Sequence, residues 1–272
     1  MKKSNKKLGK GIYLIPNLIT TINLFLGFYA IIMIFEAYAL KKSQLFQRPQ
    51  LFTWAAYAII IAIILDGLDG RFARLTKTTS QFGMEYDSLA DLTTFGMAPA
   101  LLIYAYGLKD YGRAGWLAVF LYFACVTLRL ARFNTQSKTV EKEGFQGLPS
   151  PAGAGFIAAV ILMKPKFNIE GWWDMAYMLF LPYLLALLMV SSVGYRNFKE
   201  VHFKKTWAFS ALILMVAFII ILASHPVMTI FIIFSVYVSS GLIEEFYLRA
   251  FARKKTEDAA LEEQIPIQND VH

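Results

Sequence analysis

Residues 66–91 read DGLDGRFARLTKTTSQFGMEYDSLAD and carry four aspartates, Asp66, Asp69, Asp87 and Asp91. The stretch begins at the end of one long apolar run and leads into the next. An ionised carboxylate at bilayer depth is costly, so it is expected at a functional site, and four carboxylates together need neutralisation. Divalent cations supply that neutralisation, because hard cations prefer carboxylate oxygen as a ligand. The stretch therefore predicts a membrane fold with a metal-dependent site.

The composition agrees with a membrane protein. Of the 272 residues, 57% are hydrophobic and only 17% are charged, whereas a soluble domain has roughly 25% charged residues. Apolar runs long enough to cross a hydrocarbon core of about 30 Å predict an all-α integral membrane bundle of about eight transmembrane helices. The predicted helices are 14–39, 51–75, 86–106, 113–134, 150–164, 173–193, 206–223 and 226–248.

Lysine and arginine are distributed unequally across this layout. If both termini lie on one side, the tails and loops of that side carry 20 of the 27 basic residues. Because basic residues concentrate at the cytoplasmic side, both termini and the aspartate-rich stretch are predicted to be cytoplasmic. The net charge of +8 does not indicate nucleic acid, since the basic residues flank apolar spans. It favours anionic membrane lipids as partners.

The aspartates are spaced for one cluster. Asp66 and Asp69 are three residues apart and Asp87 and Asp91 are four apart, so each pair projects from one face of its helix. Oxygen-only ligation favours Mg²⁺, Mn²⁺ or Ca²⁺ over zinc. Two such ions beside Arg74 suit chemistry at a pyrophosphate. The alternative interpretation of paired acids at a helix end is an ordinary salt-bridged surface.

The same stretch fits a known signature. With glycine, alanine and arginine in register, it matches D-x2-D-G-x2-A-R-x8-G-x3-D-x3-D at every fixed position, and the chain resembles the CDP-alcohol phosphotransferase family. The resemblance implies an integral membrane enzyme that cleaves the pyrophosphate of a CDP-linked substrate, transfers the phosphoryl-bearing part to an alcohol and releases CMP. It implies metal ligation by Asp66, Asp69 and Asp87, with Asp91 as a further ligand or the general base. It implies a nucleotide pocket that includes Asp69, Gly70, Arg74 and Gly83.

Three further segments resemble the phosphatidylserine synthase branch of the family: LIPNLIT at 14–20, RLARFN at 129–134 and FQGLPSPA at 145–152. The branch implies CDP-diacylglycerol and L-serine as substrates. Arg129 and Arg132 share a helical face, where guanidinium groups can bind a carboxylate bidentately. Snorkelling to lipid phosphates is the alternative role for both.

Polar residues near these segments are weaker candidates. Asn134, Gln146 and Ser150 are candidate partners of the serine ammonium or hydroxyl, with loop solvation or helix capping as the alternative. Ser150 before a proline also fits an N-cap. Asn17 and Thr20 are expected at the depth of the aspartates and are candidate nucleotide contacts, although Asn17 also fits a helix cap.

The expected organisation is a basic juxtamembrane segment at 1–13, a catalytic transmembrane core at 14–193, an additional transmembrane hairpin at 194–250 and a polar cytoplasmic tail at 251–272. The family resemblance implies a six-helix core, to which the last two spans are added, and a homodimer. The plasma membrane is the expected location. One alternative function is a sister enzyme with glycerol 3-phosphate or inositol phosphate as the acceptor. The other is a cation transporter that uses the aspartate cluster.

Overall fold

In the computed structural model of the chain, the described residues are 14–76, 80–136, 147–166, 172–191, 193, 195 and 208–263. Side chains are described within these ranges except at 14–16, 69–76, 136, 166, 172–175, 208–212, 214 and 245–263. The described part is all-helical and has no strand, as predicted. Four of its helical segments are long and apolar enough to cross a membrane.

The described residues form nine α-helices. They are α1 (Leu14–Ala39), α2 (Arg48–Thr76), α3 (Gln81–Asp91), α4 (Ala98–Ile103), α5 (Gly112–Gln136), α6 (Ser150–Met163), α7 (Trp172–Val190), α8 (Ala208–Ser224) and α9 (Pro226–Glu263). Short 3₁₀ turns lie at Lys42–Gln47, Lys109–Tyr111 and Lys164–Lys166, and π-helical turns lie at Leu92–Met97 and Tyr104–Leu108.

The first two helices form a hairpin through small side chains. The two helices contact each other, and Ala30 and Ala37 of α1 and Ala55 and Ala62 of α2 are completely buried. Such residues let two helix backbones approach closely where the surrounding lipid offers no hydrophobic driving force. Arg48 donates from Nε to the carbonyl oxygen of Ala37 at 3.0 Å, which joins the two ends at the connecting turn.

The next apolar region, Gln81 to Thr135, doubles back on itself. Helix α3 continues through a π-helical turn into α4, and the chain reverses at Gly112, whose φ of +55° favours glycine. Tyr122 of α5 then donates its hydroxyl to the Phe95 carbonyl oxygen at 2.9 Å. This antiparallel arrangement brings the aspartate-bearing end of α3 beside the C-terminal end of α5.

Two helix boundaries differ by five residues or more from those predicted. The helix expected at 86–106 begins five residues earlier, at Gln81, because Ser80 caps it by accepting the Gly83 N–H at 3.0 Å. The last helix was expected to end at residue 248, but α9 extends to Glu263. Residues 251–263 of the predicted polar tail are therefore helical, while residues 1–13 and 264–272 lie outside the described part.

Helix α6 is central although it is short. Its 14 residues are buried except for Pro151 and Phe156. Helix α9 packs along it, with the Phe234 ring directly against Gly155, where an added Cβ would overlap the ring. The rings of Phe156 and Phe231 stack at 6.3 Å between the same two helices. The C-terminal helix is thus part of the packing around the core.

Candidate active site

Three carboxylates of the signature converge in the structure. Asp66 lies on α2, and Asp87 and Asp91 lie one turn apart on α3. One oxygen from each lies within 4.8 Å of the others, and all three residues are half-buried. The prediction that consecutive helices bring these aspartates into one cluster is confirmed for these three. The side chain of Asp69 lies outside the described residues.

This donor set fits a hard divalent cation. Oxygens bound to one cation at about 2.1–2.4 Å are at most roughly 4.8 Å apart in octahedral geometry, and the three carboxylate oxygens lie within 4.8 Å of one another. Three carboxylates this close repel one another strongly when half-buried, and a cation removes that cost. The group contains carboxylates only, which favours Mg²⁺, Mn²⁺ or Ca²⁺ over a softer metal.

Asn23 of α1 contacts the cluster. Its side chain is 2% exposed and donates from Nδ2 to Asp91 Oδ1 at 3.3 Å. Its Oδ1 is buried and accepts no hydrogen bond from a described residue. The backbone oxygen of Asn23 accepts from Thr94 Oγ1 at 3.1 Å, which ties α1 to the segment after α3. The sequence interpretation missed Asn23, although it continues the three-residue spacing of Asn17 and Thr20 along one helical face.

The predicted nucleotide contacts on α1 lie beside α3. A Cβ added at Gly83 would be 3.3 Å from Asn17 Oδ1 and 3.1 Å from Ser80 Oγ, so glycine permits the close approach of the two helices. Thr20 is buried. The capping role considered for Asn17 is wrong, because α1 begins at Leu14 and Asn17 lies inside the helix. Gly70 and Arg74 both lie on α2, but the surroundings of Gly70 and the side chain of Arg74 are outside the described part.

Arg129 connects the cluster to α6. Its Nη1 donates to Ser150 Oγ at 3.2 Å, and its guanidinium interacts electrostatically with Asp91. Its Nε is buried and finds no hydrogen-bond acceptor among the described residues. Ser150 is 1% exposed and does not cap α6, whose N-cap is Pro149. The capping interpretation of Ser150 is therefore wrong. Its hydroxyl instead accepts a hydrogen bond from Arg129, the arginine predicted to bind the serine substrate.

Asn134, another predicted serine-binding residue, pairs with α3. Asn134 exchanges hydrogen bonds with Ser88 of α3, at 2.9 Å from Nδ2 and 3.2 Å to Oδ1. Arg132 is half-buried on α5. Gln146 lies outside the described residues. Tyr237 of α9 was not predicted from the sequence, but it interacts electrostatically with Arg129.

Comparison with known proteins gives a consistent set of similarities. Residues 13–187 match the profile of the family described as CDP-alcohol phosphatidyltransferase. A protein of Helicobacter pylori named CDP-diacylglycerol–serine O-phosphatidyltransferase is 36% identical over 238 residues, which are 87% of this chain and 93% of that protein. A protein of the same name from Mycobacterium tuberculosis is 35% identical over 76% of this chain and 69% of that protein. Another from Methanocaldococcus jannaschii is 31% identical over 70% of this chain and 83% of that protein.

Proposed function

The chain belongs to the CDP-alcohol phosphatidyltransferase family, and from this premise we propose that it converts CDP-diacylglycerol and L-serine to phosphatidylserine and CMP. The observation that carries the proposal is the convergence of Asp66, Asp87 and Asp91 within 4.8 Å. The names of several relatives over most of the chain support serine as the acceptor.

The proposed metal ligands are Asp66, Asp69, Asp87 and Asp91, holding two ions of Mg²⁺ or Mn²⁺. When bound, the ions supply positive charge that draws electron density from the pyrophosphate and stabilises the leaving phosphate. The proposed contacts of CDP-diacylglycerol are Asn17, Thr20, Asp69, Gly70, Arg74 and Gly83. Arg74 would add a fixed positive charge at the phosphates.

Asp91 is the proposed general base. It accepts the proton of the serine hydroxyl as the serine oxygen forms a bond to the phosphorus that carries diacylglycerol. The bond between that phosphorus and the bridging oxygen breaks, and CMP leaves with that oxygen. The amide of Asn23 holds one oxygen of Asp91, which fixes the orientation of the carboxylate for this transfer.

Arg129 is the proposed partner of the serine carboxylate. It donates to Ser150 and interacts electrostatically with Asp91, so a carboxylate bound to its guanidinium would bring the serine hydroxyl toward the base. The other serine-binding residues expected from the sequence are Arg132, Asn134, Gln146 and Ser150. Asn134 contributes to serine binding only if its pairing with Ser88 opens.

The remaining proposals concern the membrane location, the orientation and the oligomeric state of the enzyme. We place the site at the cytoplasmic face of the plasma membrane, with both termini cytoplasmic and about eight spans. The unequal distribution of lysine and arginine supports this orientation. A homodimer is proposed from the family resemblance.

The proposal is tested with detergent-purified protein, CDP-diacylglycerol and Mg²⁺ or Mn²⁺. CMP release is followed with L-serine, glycerol 3-phosphate or inositol phosphate added separately. Serine-dependent release together with phosphatidylserine formation is expected. Release with one of the phosphate acceptors alone would contradict serine as the substrate. No release with any acceptor, combined with metal flux in liposomes, would contradict the enzyme assignment in favour of a transporter.

A further inference from the structure

Tyr237 of α9 lies one turn after Phe234, whose ring packs on Gly155 of α6, the helix whose first residue binds Arg129. Tyr237 is half-buried on α9 and interacts electrostatically with Arg129 of α5. Arg129 also donates to Ser150 at the start of α6. Arg129 of α5 is therefore joined to α6 by a hydrogen bond and coupled electrostatically to α9, a helix of the C-terminal pair that the sequence left without a role.

The position of Tyr237 is held by close packing. The Tyr195 ring packs against it at a tilt of 36°, with ring centroids 5.6 Å apart, and its hydroxyl donates to the Val238 carbonyl oxygen at 3.3 Å. The Tyr195 ring lies directly on Gly241, where an added Cβ would overlap it. Two turns earlier on the same face of α9, Phe234 lies directly on Gly155 of α6. The two glycines fix α9 against the core, and with it the ring of Tyr237.

Arg129 has capacity to bind a further group. Its Nη1 is used by Ser150, but its buried Nε has no acceptor among the described residues. A buried donor of this kind is normally satisfied by a protein atom, water or ligand. A carboxylate accepts two parallel hydrogen bonds from a guanidinium edge, and a neighbouring phenol donates a third. A single negative charge suits this set better than a phosphate monoester, which carries about two charges.

We propose that Tyr237 recognises the acceptor: together with Arg129 and Ser150 it forms a pocket that binds the carboxylate of an amino-acid substrate. This inference rests on the proposed function and adds to it a specificity residue supplied by α9. Tyr237 acts by binding the acceptor and takes no part in the transfer of the proton or the phosphatidyl group.

The test compares two tyrosine-to-phenylalanine variants that each remove one oxygen atom from the same aromatic pair. In Tyr237→Phe, the KM for L-serine is expected to rise roughly tenfold, because a hydrogen bond to a charged group is lost. The KM for CDP-diacylglycerol should stay within about twofold. Tyr195→Phe keeps the ring that packs on Tyr237 and Gly241 and loses a hydroxyl whose bond among the described residues is to the α9 backbone, so both KM values should remain near those of the wild type.

A second substrate separates recognition from a structural role. L-serine amide lacks the negative charge of serine, so the wild type should strongly prefer serine over the amide, as measured by the ratio of the two kcat/KM values. Tyr237→Phe should lower that ratio severalfold, whereas Tyr195→Phe should not. Serine-dependent CMP release by the wild type with an unchanged ratio in Tyr237→Phe would overturn this inference alone. Absence of serine-dependent release by the wild type would instead overturn the proposed function.

Discussion

Asp87 provides a direct test of the metal site at the scale of one residue. Asp87→Asn keeps the shape of the side chain but removes a charge from the three-carboxylate cluster. We expect CMP release to fall at least about 100-fold, since loss of even an outer partner of a metal ligand costs about 10- to 100-fold. Asp110→Asn makes the same change at an exposed position at the opposite end of the α3–α5 hairpin and should leave the rate unchanged. Manganese titration of both variants supplies the measurement; wild-type turnover in Asp87→Asn would contradict the site.

Asn23 is predicted to orient Asp91. Asn23→Leu replaces the amide that donates to Asp91 with an apolar side chain of similar size, so kcat should fall roughly ten- to a hundredfold, the range expected for a lost hydrogen bond to a charged group. Thr21→Val is the control, because its hydroxyl pairs with Tyr86 at an exposed position of the same helix. Steady-state kinetics with saturating serine would measure the effect. Equal rates in the two variants would show that Asp91 needs no partner on α1.

The aspartates could be found from the sequence, but Asn23 could not be assigned with them. Fixed spacing on two consecutive helices was enough to predict that Asp66, Asp87 and Asp91 meet, and the family match confirms the resemblance on which their roles rested. The contact between Asn23 and Asp91 joins residues 68 positions apart. It depends on how closely α1 approaches α3, and periodicity within one helix carries no information about that distance.

The approach of α1 to the segment after α3 depends on Gly27. A Cβ added there would lie 2.8 Å from the Thr94 Cα atom, so Gly27→Ala requires the helices to separate. We expect a loss of about 1–3 kcal/mol of stability, as for other overpacked positions, with reduced activity because Asn23 lies one turn away. Gly67→Ala is the control, since an added Cβ meets no described atom within 4 Å and alanine favours a helix. Thermal unfolding in detergent measures both; equal midpoints would contradict the close contact.

Helix faces explain why the predicted serine-binding residues do not all meet. Arg129 and Asn134 are five residues apart, which rotates their side chains by about 140° around α5. The structure accordingly directs Arg129 to Ser150 and Asn134 to Ser88. The motif placed both residues at the end of one helix, but it could not show which neighbouring helix lies on each face. Their roles toward serine remain predictions.

At the scale of the whole molecule, the C-terminal part is more closely joined to the site than the sequence indicated. Apolar composition alone predicted α8 and α9 as an added hairpin. The structure packs α9 on α6 and couples Tyr237 electrostatically to Arg129, more than 100 residues away in the sequence. Tyr195, which lies between α7 and α8 in the sequence, packs its ring against Tyr237 and Gly241 of α9. Its burial against α9, and its proximity to Tyr237, raise its pKa to about 12, so its hydroxyl stays protonated and keeps donating to Val238 at neutral pH.

The orientation of the molecule in the membrane gives the last prediction. The described chain has one free cysteine, the buried Cys125, so Cys125→Ala provides a background in which single cysteines report their own side. Ser43 and Thr135 are exposed, and the distribution of basic residues places the first outside and the second inside the cell. In intact cells, a membrane-impermeant maleimide should therefore label Ser43→Cys but not Thr135→Cys.

Lysis provides the control for this experiment, since it should make both cysteines reactive. Labelling of Thr135→Cys in intact cells would place this end of α5 outside. Because α5 runs antiparallel to α3, with Asn134 paired to Ser88 beside Asp87 and Asp91, that result would also move the aspartate cluster to the outer face. Serine and CMP are cytoplasmic in the proposed reaction, so the orientation of this one helix decides whether the site has access to them.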